Sequence, residues 1–203
     1  MRIRHHRRNV DGRADRRERG TVLVEMAIVS VFLLTIAAGA FDLGMAWRGG
    51  LGVNEAARTG ARVGSAQGPL READFYALSG VKSALTSSGQ IDDVTRVVVF
   101  RSTSATGTIP TACKTSSTTD CQVISGADFR TAWESQAVTT ATTTTGCLQI
   151  ATAKNWCPTT RINTQAVAEY YGVWVQVQHD YQFPMMGSGI SIARTAVMRL
   201  EPA

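Results

Sequence analysis

The longest uninterrupted apolar run lies near the start of the chain, where residues 26–41 carry no charged side chain. Extended back to Thr21, the run has 21 residues and includes a single charge, Glu25. A transmembrane helix needs about 20 mainly apolar residues, because each residue adds about 1.5 Å along the helix axis. The pattern therefore predicts a membrane-spanning helix over residues 21–43.

Helical character continues beyond the predicted span, in an extension over residues 44–68. Gly49, Gly50 and Gly52 each cost up to about 1 kcal/mol relative to alanine in a helix, so we expect a softened or broken helix there. After them, four small residues share one helix face: Ala57, Gly60, Ala61 and Gly64. Such a face lets another element approach closely, and packing within the chain and contact with another subunit both stay open.

Residues 69–203 are numerous enough for one compact domain. Apolar residues recur at helical spacing over residues 71–88, and a β-branched run within residues 93–102 predicts a buried strand. The clearest strand is residues 170–183, where valines at every second position alternate with tryptophan and glutamine. A turn and a returning strand over residues 190–200 predict an antiparallel hairpin, with the first strand alongside.

The polar segments between these elements predict less regular structure. Residues 102–126 predict an exposed loop, and residues 128–138 a short helix with Asp128 as its N-cap. The threonine-rich residues 139–145 predict a spacer. The predicted fold class is α+β, in which an N-terminal transmembrane helix precedes a small antiparallel-sheet domain with packed helices.

The net charge of +5 is concentrated in the first twenty residues, which hold eight arginines and three acidic residues. By the positive-inside rule, a basic leader over residues 1–20 stays in the cytoplasm and the domain of residues 69–203 lies outside it. Arginine-rich segments can bind nucleic acid. Because this one directly precedes an apolar helix, we interpret it as a topology signal and expect no nucleic-acid partner. His5 and His6 belong to the same polar tract.

All four cysteines follow the predicted span and therefore lie in an oxidising compartment, where disulfides form. Three pairings exist; Cys113–Cys121 and Cys147–Cys157 close the shortest loops and carry the smallest closure cost. No C-x2-C spacing indicates zinc, and the only histidine after the leader is His179. We predict these two disulfides, no metal site and no cofactor.

No constellation of residues indicates an enzyme. His179 and Asp180 are adjacent in a strand pattern, so their side chains point to opposite faces. The sequence contains no G-x-S-x-G elbow, P-loop or dinucleotide fingerprint. We therefore predict a protein without catalytic activity.

Glu25 is the single charge in the apolar run, and on its own it could snorkel to the headgroups. It follows Gly20, the last residue of the basic leader, by five positions. This Gly-x4-Glu arrangement resembles the processing site of type IV prepilins. The resemblance implies that a prepilin peptidase cuts after Gly20 and leaves Thr21 as the new amino terminus. The ammonium group of Thr21 could then pair with Glu25 of a neighbouring subunit.

Residues 19–64 resemble a narrower family through the runs V-E-M-A-I-V, F-D-L-G and N-E-A-A-R-T-G-A-R. These runs resemble the TadE-like pseudopilins of tight-adherence (Tad/Flp) pilus systems, with a weaker echo in the final A-R-T-A-V-M-R-L-E-P. The resemblance implies a pilin-like single-pass protein of the cytoplasmic membrane that helps to assemble or initiate a Flp-type pilus. Its partners would be other pilins and Tad assembly proteins. Val31 stands where the family usually has proline, so no kink is expected.

A secretory signal peptide is the alternative. Ala38-Gly39-Ala40 has the small residues that a signal peptidase needs, and cleavage there would leave Phe41 as the first residue. The protein would then be a secreted or signal-anchored extracytoplasmic binding domain unrelated to pili. Glu25, and the family-like sequence running through that cut, favour the pilin interpretation.

Overall fold

A 54-residue helix, α1 (Ala14–Gln67), runs through both compact units of the chain, Met1–Leu43 and Gly44–Ala203. The computed structural model describes residues 14–115, 120–164, 167–183 and 187–201. Residues 1–13 of the predicted leader, including both of its histidines, lie outside the described residues.

The second unit contains a five-stranded sheet in the order β3-β2-β1-β4-β5, in which every neighbouring pair is antiparallel. This arrangement, with its helices, confirms the predicted α+β fold. The strands are β1 (Val94–Ser102), β2 (Cys121–Ser125), β3 (Ala153–Lys154), β4 (Tyr170–His179) and β5 (Ile190–Arg199). The shorter helices are α2 (Ala73–Ser87), α3 (Thr111–Thr115), α4 (Gly126–Arg130) and α5 (Val138–Ala141), with 3-10 turns at Trp133–Ser135 and Pro158–Thr160.

The predicted hairpin is formed by β4 and β5, whose pairing runs from Tyr170 opposite Arg199 to His179 opposite Ile190. Strand β1 lies on the other side of β4, as predicted, with Val97 opposite Val175. Strand β4 ends at His179, four residues before the predicted end of the strand.

The main core lies between one face of this sheet and two helices, the part of α1 after residue 44 and α2. Ala57 and Ala61 of α1 are fully buried there, beside valines of β1 and β4. A Cβ atom added to Gly60 would stand 2.4 Å from Cγ2 of Val81 in α2. The face of small residues in α1 therefore serves packing within the domain.

The expectation of a break at Gly49, Gly50 and Gly52 is wrong, because α1 is helical throughout that region. An added Cβ on Gly49 would stand 2.8 Å from Nε2 of Gln90, and one on Gly52 would stand 2.7 Å from Cβ of Ser88. These glycines let the turn after α2 lie directly on α1, so close packing offsets their low helix propensity.

Two glycines of α1 give a matched test of this packing. An added Cβ on Gly64 would stand 2.2 Å from ring carbons of Tyr171, whereas one on Gly44 meets nothing within 4 Å. We expect Gly64→Ala to destabilise the domain by about 1–3 kcal/mol through overpacking. Gly44→Ala is expected to stabilise it by up to about 1 kcal/mol through helix propensity. Urea unfolding of the full chain in micelles measures both; effects of the same sign would contradict the packing.

The second face of the sheet is also covered, and no pattern in the sequence predicted this. Val98, Phe100 and Trp174 pack there against Ile109 and Cys113. The predicted exposed loop over residues 102–126 is therefore wrong, since it contains α3 and β2. Strand β2 lacks a clear alternation of buried apolar and exposed polar residues, because its polar second residue, Gln122, is fully buried.

Two further predictions for the following segment need correction. The helix predicted over residues 128–138 is the shorter α4, and its N-cap is Ser125, whose Oγ accepts from the Asp128 N–H at 3.1 Å. The chain leaves the helix after Arg130, and the buried Trp133 donates to the Phe129 carbonyl at 3.1 Å. The predicted threonine spacer overlaps α5, and its Thr142 is buried.

Candidate functional site

The first compact unit exposes apolar side chains along α1. Within the described residues, α1 is the one helix that is long and apolar enough to span a membrane. These side chains include Val22, Leu23, Val24, Met26, Ile28, Val31, Phe32, Leu33, Leu34 and Ile36, each more than half exposed. The exposed surface matches the lipid-facing side chains that a spanning helix requires, so the unit supplies one candidate N-terminal span.

Two hydroxyl groups inside this segment are satisfied locally. Ser30 Oγ donates to the Ala27 carbonyl at 2.9 Å, and Thr35 Oγ1 donates to the Val31 carbonyl at 2.8 Å. Both hydroxyls thus avoid the cost of an unpaired donor in lipid. Helix α1 continues through Val31 without a break.

The predicted processing residues lie at the start of the exposed segment. Gly20 is exposed, and an added Cβ would meet nothing within 4 Å. Thr21 follows inside the same helix, and Glu25 is exposed one helical turn later, about 6 Å along the axis. The Thr21 backbone nitrogen and the Glu25 side chain are therefore one helical turn apart along α1.

The second unit contains a buried polar cluster around Asp74 in the first turn of α2. Asp74 Oδ1 accepts from the Tyr171 hydroxyl at 2.9 Å, and Oδ2 accepts from Arg161 Nη2 at 2.7 Å. Gln122 Nε2 also donates to Oδ2, while Gln122 Oε1 accepts from the Leu148 N–H at 2.9 Å. The cluster connects α2, β2, β4 and the segment before β4.

Burial and neighbouring charges act on the Tyr171 phenol of this cluster. The Arg161 guanidinium lies between two aromatic rings, 4.3 Å from the centre of the Trp156 ring and 4.8 Å from that of Tyr171. Burial raises the pKa of Tyr171 well above its usual value, and the Asp74 carboxylate adds to the rise while Arg161 opposes it. Tyr171 is therefore a neutral phenol that donates to Asp74.

Both carboxylate oxygens of Asp74 accept hydrogen bonds from side chains of other elements, so the cluster ties these elements together inside the domain. The cluster was not predicted from the sequence, although one signal was present. Asp74 precedes the apolar positions Leu78, Val81 and Leu85 at helical spacing, so a charge stands on the buried stripe of α2.

The structure brings the four cysteines together in the two predicted pairs. The sulfur atoms are 2.17 Å apart in Cys113–Cys121 and 2.02 Å apart in Cys147–Cys157. Among the described residues, no group of three histidine, cysteine, aspartate or glutamate side chains is arranged to hold a metal.

The disulfides can be tested directly on exported protein. Each short loop is expected to be closed by its own bridge, which would stabilise the domain by about 2–3 kcal/mol through restriction of the unfolded chain. Peptide mapping without reductant should recover Cys113 joined to Cys121 and Cys147 joined to Cys157. Recovery of Cys113 joined to either of the later cysteines would contradict the pairing, and free thiols would contradict the topology predicted from the basic leader.

Comparisons with known proteins bear on the N-terminal helix. Neither the curated proteins nor the solved structures contain a match to this chain. A protein-family model does match, over residues 20–62, which run from the predicted processing glycine into the part of α1 inside the domain core. The family is described as TadE-like protein, and the match confirms over this segment the resemblance to TadE-like pilins of the Tad system.

Proposed function

We propose that this chain is a TadE-like minor pilin or pseudopilin that takes part in assembly or initiation of a Flp-type pilus. The observation that carries the proposal is the family match over residues 20–62. The match begins at the glycine of the Gly-x4-Glu arrangement and includes the whole exposed apolar segment of α1.

The proposed topology follows from charge and hydrophobicity. The arginine-rich leader holds the N-terminus in the cytoplasm, residues 21–43 cross the membrane, and the domain lies outside. The partners are the cytoplasmic membrane, a prepilin peptidase, other pilins and Tad assembly proteins. In this arrangement the domain is carried by the helix, and the helix provides the surface that packs against other pilins.

The proposed processing step is hydrolysis of the Gly20–Thr21 peptide bond by the peptidase. Helix α1 begins at Ala14, so this bond lies within helical backbone. A peptidase needs local access to the chain, which requires the helix to unwind there. Glycine lowers the cost of this unwinding, because it is about 1 kcal/mol less favourable than alanine in a helix. Removal of the leader frees the Thr21 ammonium group, which is the charge that Glu25 requires as a partner.

Assembly then depends on helix packing in lipid. Association of helices in a membrane depends on close packing and on polar contacts between them, because lipid is as apolar as the side chains. A Glu25 carboxylate paired with the Thr21 ammonium of a neighbour would offset part of the cost of placing both charges in the membrane. This pairing fixes the axial register between subunits and needs no catalysis by the pilin itself.

The processing step predicts a specific effect of Gly20→Leu. A side chain at this position should obstruct the peptidase, so the membrane-bound variant should keep all twenty leader residues and show the corresponding higher mass. The matched control is Gly12→Leu, which changes a leader glycine away from the cut and should leave the mature mass unchanged. Intact mass spectrometry reads both. A mature wild-type mass for Gly20→Leu would contradict cleavage after Gly20.

The same experiment distinguishes the pilin proposal from the secretory alternative. Cleavage by a signal peptidase after Ala40 would not depend on Gly20, so both variants would yield a soluble product beginning at Phe41. Family-like sequence continues through that cut as far as residue 62, which favours the pilin proposal.

A further inference from the structure

A cleft in the second unit combines charges of both signs. It has a volume of about 380 Å³ and lies between Arg48 of α1, Gln90 in the turn after α2, and His179 and Asp180 at the end of β4. Asp93, which directly precedes β1, completes the polar lining. The cleft thus offers one cation and two carboxylates to a ligand, and such a set suits a small zwitterion.

Two polar atoms of this lining have no hydrogen-bond partner among the described residues. Gln90 is only 8% exposed, and its Oε1 accepts no hydrogen bond. Nε2 of His179 is likewise buried and unpartnered. Buried polar groups in native proteins nearly always have partners, so an unpaired acceptor in a cleft indicates a missing donor. A ligand with N–H groups would supply one.

The carboxylates of the cleft favour a positively charged donor. Burial raises the pKa of Asp93, His179 opposes that rise, and the carboxylates of Asp180 and Asp92 add to it. The negative charges thus repel one another in a partly desolvated site. A cation bound between Asp93 and Asp180 would relieve this repulsion.

The residues of the cleft that follow the predicted span indicate a membrane lipid as the source of such a ligand. Arg48 follows Leu43, the end of the predicted span, by five residues of continuous helix, or about 7.5 Å. Trp47 beside it is 74% exposed, and exposed tryptophan is enriched at the level of the lipid headgroups. Phe183 and Ile190, which flank the turn of the β4–β5 hairpin, are also exposed apolar side chains. Trp47 and Arg48 therefore follow the predicted span by fewer than two helical turns.

We propose that this cleft binds the headgroup of an aminophospholipid. Arg48 receives the phosphate, while Asp93, Asp180 and Gln90 Oε1 accept hydrogen bonds from the primary ammonium. The exposed Trp47 contacts the apolar part of the lipid. A choline headgroup cannot donate these hydrogen bonds, and a glycerol headgroup carries no cation, so the site selects the primary amine. The proposed lipid binding rests on the membrane span and does not depend on cleavage or pilus assembly. Lipid binding and the pilin function can therefore fail independently of each other.

The test is native mass spectrometry of the full chain in detergent micelles, with phosphatidylethanolamine, phosphatidylcholine or phosphatidylglycerol added at equal concentration. Loss of charge-assisted hydrogen bonds predicts that phosphatidylethanolamine is retained about tenfold more than either of the others. Equal retention of all three lipids would overturn the proposal, because it would show non-specific binding along the spanning helix.

Variants locate the binding. The double variant Asp93→Asn with Asp180→Asn should reduce retention of phosphatidylethanolamine to the level of phosphatidylcholine, and Gln90→Leu, which removes the unpartnered acceptor, should lower it independently. The control Glu55→Gln removes an exposed carboxylate of α1 outside the cleft and should retain the full preference. Near-UV circular dichroism checks that each variant is folded. A preference that survives in folded cleft variants would overturn the proposal.

Discussion

Arg161→Met is expected to lower the free energy of unfolding of the domain by about 3–5 kcal/mol, the range for breaking a buried ion pair from one side. Both side chains of the Arg161–Asp74 pair are fully buried, and the pair distance is 2.7 Å. Methionine leaves the Asp74 carboxylate buried without its cation and removes the guanidinium from between Trp156 and Tyr171. Urea unfolding of the full chain in micelles, followed by tryptophan fluorescence, measures the loss.

Arg101→Met is the matched control. Arg101 pairs with Asp120 at 2.6 Å and with Glu169 at 3.1 Å, but its side chain is 45% exposed, so its loss should cost at most about 1 kcal/mol. Adding Asp74→Asn to Arg161→Met should recover part of the stability, because the uncompensated charge disappears. Equal losses for Arg161→Met and Arg101→Met would contradict the role of the buried pair.

Glu25→Ala is expected to abolish incorporation into pili while insertion and processing continue. The apolar segment and Gly20 are unchanged, so the variant should still reach the membrane and be cut. In the proposed assembly this variant lacks the carboxylate that would pair with the neighbour's Thr21 ammonium, so we expect the register between helices to be lost and filament counts to fall to background. Crosslinking of the mature protein to other pilins in membranes, together with counts of surface filaments, measures the effect.

Two further variants separate charge from shape in this prediction. Glu25→Gln keeps the size and hydrogen-bonding capacity of the side chain but cannot neutralise an ammonium, so it should fail like Glu25→Ala. Ser30→Ala changes another polar residue of the span, whose hydroxyl already donates to Ala27, and should assemble normally. Normal crosslinking and filament counts in both Glu25 variants would leave Glu25 as a tolerated interfacial charge.

The elements that could be predicted from sequence are those with long, regular patterns. The apolar run predicted the exposed part of α1, and the alternating valines at 173, 175 and 177 predicted β4 and its place in an antiparallel hairpin. In these segments, residues at a constant spacing along the chain occupy the same environment, so the local sequence is enough to predict the element.

The elements that escaped prediction depend on distant partners. Strand β2 is five residues long and is recognisable only from its pairing with β1 and β3. Asp74 and Arg161 are 87 residues apart, and no local pattern relates them. The glycines at 49 and 52 suggested a weak helix because their low propensity is visible in the sequence, whereas the packing of Gln90 and Ser88 against them is not.

We propose that a prepilin peptidase converts this chain into a pilin whose helix begins at Thr21. N-terminal sequencing of the wild-type protein recovered from membranes tests this cleavage. We expect a single amino terminus at Thr21, with Glu25 as the fifth residue. An amino terminus at Phe41 would indicate a signal peptidase and a secreted domain, and one at Met1 an uncut membrane anchor; either result would rule out cleavage after Gly20.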